Sequence, residues 1–175
     1  MSYTVRLAAL VLCLTQPALA QTVPTPLEVL AVKQQAVIAQ FEAMPLLARR
    51  LVFVETRPAV FGAAIERPTH VFAKGEPLIT YIEPVGYGWK PEGTMLSFGF
   101  NIDFVLKQPD GTILGGKADF LKVGFASKEK VTEFMVTVTL NLTGVSPGDY
   151  ILEYKLRDIA SAKELTTSQP LTIAP

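Results

Sequence analysis

Apolar and polar residues change rhythm once along this chain, near Arg50. Before that point Leu27, Leu30, Ala31, Ile38 and Phe41 recur at the 3.6-residue spacing of a helix, with Lys33, Gln34, Gln35 and Gln40 as polar positions. Thr25-Pro26-Leu27-Glu28 has the form of a capping box. The threonine hydroxyl can accept from the Glu28 N–H, and the Glu28 carboxylate can reach back to the Thr25 N–H. Pro26 falls at the first helical position, where its missing N–H leaves nothing unpaired, and Pro45 cannot continue the helix. The spacing predicts a short linker over 21–26 and a helix over 26–43, with one further turn at 46–49.

After Arg50 the period becomes two. Phe98, Phe100, Ile102, Phe104 and Leu106 alternate with Ser97, Gly99, Asn101 and Asp103. Phe134, Val136, Val138, Leu140 and Leu142 repeat the pattern, with Thr137 and Thr139 pointing outward. Tyr150, Leu152, Tyr154 and Leu156 do so again, opposite Glu153, Lys155 and Arg157. Each reads as a strand with one buried and one wet face, the habit of antiparallel sheets. Pro109-Asp110-Gly111, Gly144–Asp149 and 159–162 are turn signals between them, and a Gly/Pro-rich loop is predicted over 84–91. Seven or eight short strands over 50–175 predict one β-sandwich preceded by one helix.

The stretch Leu140–Tyr154, with Gly148-Asp149-Tyr150 at a strand start, resembles the corner of immunoglobulin-like and fibronectin type III sandwiches. There a tyrosine hydroxyl bonds back to backbone a few residues upstream, and Tyr150 is placed for this. The Cys…Trp…Cys spacing of antibody domains is absent, so the resemblance is to the architecture. More broadly, Phe72–Leu78, Tyr81–Tyr87 and Gly148–Asp158 followed by Ser161-Ala162-Lys163 resemble exported bacterial Ig-like proteins to which no activity is attached. The resemblance implies an Ig-like fold and adds no catalytic residue.

Composition changes the picture at the N-terminus. Arg6, the apolar run Leu7–Leu14 and the small-x-small ending Ala18-Leu19-Ala20 follow the order of a secretory signal, too short to span a bilayer. The expected signal peptide is 1–20. Its removal takes away Cys13, the only cysteine. The 16 basic and 16 acidic residues of the full chain then become a balance of −1 through loss of Arg6. A near-neutral chain offers no electrostatic case for nucleic acid. Export without disulfides points to a bacterial periplasm and a self-sufficient core. No transmembrane segment is expected in the mature chain.

Candidate chemistry is thin. His70 is the only histidine, which excludes a two-histidine metal site, and no G-x-S-x-G elbow is present. Glu76, Glu83, Asp103 and Asp119 lie on or beside strands. Two such carboxylates could hydrolyse a glycosidic bond if held roughly 5–9 Å apart. Asp110-Gly111 is a turn rather than a calcium loop, and the sequon Asn141-Leu142-Thr143 ends a strand and is read as chance. Tyr87, Trp89 and Lys90 are the candidate binding residues. They put the only tryptophan on a Gly/Pro loop, where the 127–130 and 159–162 loops should join it in a contact face. The competing expectation is that Trp89 plugs the core.

The expectation is therefore a non-enzymatic binding or accessory protein of the periplasm, with no cofactor or metal, another envelope protein as partner, and no stated oligomeric state. The alternatives are a small exported hydrolase using strand carboxylates, and a structural partner docking through helix 26–43 by way of Leu27, Leu30, Ile38 and Phe41.

Overall fold

The computed structural model describes residues 23–175, so the expected signal peptide, 1–20, lies outside the described residues. Helix α1 (Pro26–Ala43) carries the expected capping box. Glu28 N–H donates to the Thr25 hydroxyl at 3.3 Å and Thr25 N–H donates to the Glu28 carboxylate at 2.6 Å. Pro45 ends the helix, but no further turn follows. Strand β1 (Leu47–Val54) begins directly, because this segment pairs antiparallel with β3 (Leu78–Val85). Its leucines, alanine and arginines favour helix intrinsically, and the ladder overrides them. The sandwich thus begins at Leu47.

Two sheets face one another. The smaller has the order β1-β3-β7, with β7 at Val136–Leu140. The larger is built on β5 (Met95–Lys107), β8 (Gly148–Asp158) and β9 (Glu164–Ile173). The short β2 (Val71–Phe72) lies beside β9, β4 (Lys90–Glu92) beside the start of β5, and β6 (Ile113–Ser127) along the other side of β5. Nine strands are formed among the described residues. All pairs are antiparallel except β2 with β9. The chain crosses from β6 in one sheet to β7 in the other and back to β8, giving an Ig-like sandwich.

The alternation read from the sequence sets the core. Phe98, Phe100, Ile102 and Leu106 from β5 meet Val136, Val138 and Leu140 from β7 and Leu152, Tyr154 and Leu156 from β8. Phe104 is only half-buried and rests edge-on against Phe120 of β6 at 4.9 Å. Thr137 is buried rather than outward. It lies opposite Tyr81 in the ladder, on a sheet face that the 55–70 segment crosses, where Gly62 N–H donates to the Tyr81 hydroxyl at 3.0 Å.

The corner forms as the resemblance implies: the Tyr150 hydroxyl donates to the Ser146 carbonyl at 2.7 Å. The Pro-Asp-Gly turn is closed by Gly111 N–H to the Gln108 carbonyl at 2.9 Å and Thr112 N–H to the Asp110 carboxylate at 2.8 Å.

On the outer face of the larger sheet, Arg157 holds Asp103 through both guanidinium nitrogens and reaches Asp119 as well. Arg157 first, and then the Asp119 N–H, hold the Asp103 carboxyl below its ordinary range. A carboxyl whose pKa is depressed by folding adds stability above its unfolded pKa of about 4, and that stability is lost as pH falls through the folded value. Replacing Asp103 by asparagine is therefore expected to flatten the acid limb of a stability–pH profile below about pH 4. Urea unfolding at stepped pH checks this, and an unchanged acid limb would contradict it.

Candidate functional site

The 86–89 turn does not project. Tyr87 is fully buried and Trp89 is 8% exposed, while Lys90 stays at the surface. Tyr87 is the hub of an aromatic cluster, with ring centroids 5.0 Å from Phe41, 5.3 Å from Trp89, 5.7 Å from Phe100 and 6.0 Å from Phe134. Its hydroxyl donates to the Val131 carbonyl at 2.7 Å, and burial pushes the phenol well above the usual tyrosine range. The expected contact face is corrected accordingly. Its loops do converge, because Gly88 N–H donates to Asp158 at 2.7 Å and Lys130 stands over the Trp89 ring at 5.5 Å. The aromatics, however, point into the core and are roofed by Phe41. The Trp89 indole N–H has no hydrogen-bond partner among the described residues. Its fluorescence is thus expected to be blue-shifted and almost inaccessible to iodide. Strong quenching of the folded protein would contradict the burial.

The last turn of α1 is seated by lysines from the sandwich. Lys163 donates to the carbonyls of Glu42, Met44 and Gly86 at 2.7, 2.8 and 2.7 Å, and Lys130 pairs with the Glu42 carboxylate at 2.6 Å. Cations here also suit the negative end of the helix dipole. Gly86 has φ +82°, and a Cβ there would lie 2.2 Å from the Pro45 carbonyl, so only glycine lets the chain pass this close.

Beyond its last turn α1 stands away from the sandwich. Only Phe41 is buried and Ile38 half-buried, whereas Leu27 is 77%, Leu30 51%, Val32 65% and Val37 62% exposed. The stripe expected for docking is therefore split: its lower end is used internally and its upper end is free. An open groove runs between Leu30, Gln34 and Ile38 and the 129–132 segment.

A second stripe escaped the sequence reading. Val29, Val32, Ala36, Ala39 and Ala43 repeat with steps of three and four on the opposite side, and all are exposed. Two polar seams, Glu28-Gln35-Glu42 and Lys33-Gln40, separate the two apolar faces. Opposed stripes nearly cancel the helix's amphipathicity, so a search for one apolar face sees only one of them. The heptad spacing was the available signal.

The acidic candidates are committed to ion pairs. Glu76 accepts from the Ala73 N–H and pairs with Arg67, which in that order lower its pKa. Glu83 is buried against Arg49 at 2.9 Å and the Tyr81 hydroxyl at 2.8 Å, and Asp103 and Asp119 share Arg157. His70 is exposed, its ring edge-on to Phe53 at 5.6 Å. Among the described residues no group of three His, Cys, Asp or Glu side chains is placed to hold a metal, and no helix is long and apolar enough to cross a membrane. The chain matches no known protein family, and no curated protein is similar to it in sequence.

Proposed function

We propose that this is an exported, non-enzymatic accessory protein of the bacterial periplasm whose Ig-like sandwich holds α1 out as a docking element for a protein partner. The supporting observation is the free length of α1, on which Leu27, Leu30, Val32 and Val37 are exposed although each carries a large apolar side chain. A helix that is apolar on more than one side is ordinarily covered, and a contiguous exposed apolar surface marks an interaction site. The carboxylates are neutralised by arginines and the loop aromatics are used for packing, whereas the free length of α1 has no internal task.

The test is a photo-crosslinking residue at Val32 in the exporting cell, with the same residue at Lys122 on β6 as control. A discrete protein adduct from position 32 alone, lost with Val29→Glu and Ala36→Glu, is the expected result. Equal labelling from both positions, or none from 32, would overturn the docking role. Export itself predicts a mature N-terminus at Gln21, read by N-terminal sequencing.

A further inference from the structure

We infer that the partner of α1 is α1 of a second copy, aligned parallel and in register through the face formed by Val29, Val32, Ala36, Ala39 and Ala43. This deepens the docking reading above and rests on it. Three observations carry it. The face is exposed over its whole length, down to Ala43, because the sandwich packs on the opposite side, at Ile38 and Phe41, and otherwise holds the helix through Lys130 and Lys163 at Glu42 and Met44, beside this face. A second helix can therefore lie along it without meeting the sandwich that holds the first.

The spacing is that of a coiled-coil seam, with Val29, Ala36 and Ala43 at one core position and Val32 and Ala39 at the other. Small side chains let two helix backbones approach closely.

The flanks then decide partner and direction. Glu28 precedes the first core position and Lys33 follows five residues later, while Gln35 and Gln40 repeat the same offset one heptad on. In a parallel pair, residues five apart on opposite helices are neighbours across the seam. Glu28 of each copy thus meets Lys33 of the other, and Gln35 meets Gln40, twice over by symmetry. In an antiparallel pair Glu28 would instead face Glu42, which Lys130 already pairs, and Lys33 would face Gln40, so no opposite charges would meet across the seam. The helix is complementary to itself in one orientation only.

A lipid surface fits less well. An interfacial helix has one apolar face opposite a face rich in Lys and Arg. Alpha1 has two apolar faces on opposite sides, and Lys33 is its only cation. Eighteen residues of helix bury less than a standard protein interface, so the pair is expected to be reversible.

Sedimentation of the whole chain over a dilution series, in a Cys13→Ser background, tests the pairing. The expected result is a monomer–dimer equilibrium. Val29→Glu with Val32→Glu should weaken it by roughly 100-fold or more with helix content and unfolding midpoint retained, and Lys33→Glu should weaken it severalfold. Val29→Cys should oxidise to a disulfide-linked dimer, since parallel register places the two copies of residue 29 side by side, and Gln34→Cys on the other face should not.

Dimers that resist Val29→Cys cross-linking overturn the parallel register. A protein that stays monomeric at all concentrations, or is monomeric and floats with anionic vesicles through α1, overturns self-pairing. If the Val32 crosslinker still captures a different protein, the docking role survives that failure. If it captures nothing, both fall.

Discussion

Tyr87→Ala is expected to lower the unfolding free energy by about 3–5 kcal/mol, the range for deleting a large aromatic side chain from a packed core. Tyr87 is fully buried and its ring lies among those of Phe41, Trp89, Phe98, Phe100 and Phe134, so its loss leaves a cavity bounded by α1, β5 and the segment leading into β7. Tyr87→Phe keeps the ring and gives up only the bond to the Val131 carbonyl, for about 1 kcal/mol. Urea unfolding followed by circular dichroism separates the two. If the alanine variant costs no more than the phenylalanine one, the cluster is not the unit of packing described here. The alanine variant should also loosen the last turn of α1, because Phe41 loses the surface on which it sits.

Thr80→Val should cost about 2–4 kcal/mol although it preserves shape, because two buried polar groups lose their shared partner. The Thr80 hydroxyl accepts from Gln169 Nε2 at 3.0 Å and bonds the Tyr154 hydroxyl at 2.8 Å, joining the two sheets through the core. All three residues are buried, and burial holds the Tyr154 phenol protonated far beyond the usual range. The informative comparison is the triple variant Thr80→Val, Tyr154→Phe, Gln169→Leu. With every polar member removed, nothing is left unpaired, so it should recover at least half of the single variant's loss. A triple variant less stable than Thr80→Val would show that the network contributes more than its internal pairing requires.

What the sequence disclosed depended on whether the cause was local. The start of α1 was legible because the capping box and Pro26 act within one turn. The Tyr150 corner was legible because its bond closes over four residues. The core faces of β5, β7 and β8 were largely legible because one side of each faces the opposite sheet. Strand β1 was misread at its start because Leu47–Arg50 becomes extended only by pairing with β3. The β6 segment shows no alternation, since most of its residues on both faces are exposed and glycines replace side chains at 115 and 116.

The site was legible only in part. Trp89 sits in a loop by every local sign, and what buries it is Phe41, which arrives from α1. The first apolar stripe of α1 was visible, but its division into a gripped end and a free end depends on where the sandwich stands. The second stripe was hidden by the first.

The open flank of β6 carries a last consequence. Fifteen residues long and, among the described residues, paired on one side only, it is the kind of edge on which strand can add to strand. Its regularity is broken at Asp119, a non-glycine residue at φ +48° beside a register shift, and Lys117 and Lys122 flank the break. A sheet so interrupted does not offer a continuous template. Growth by edge addition makes fibres when each added chain pairs through a different edge and leaves its own β6 open, whereas a two-fold contact is satisfied after a single event. The misshapen edge therefore bears on what the protein can become in a crowded compartment: it keeps the β-rich body from seeding open-ended polymers.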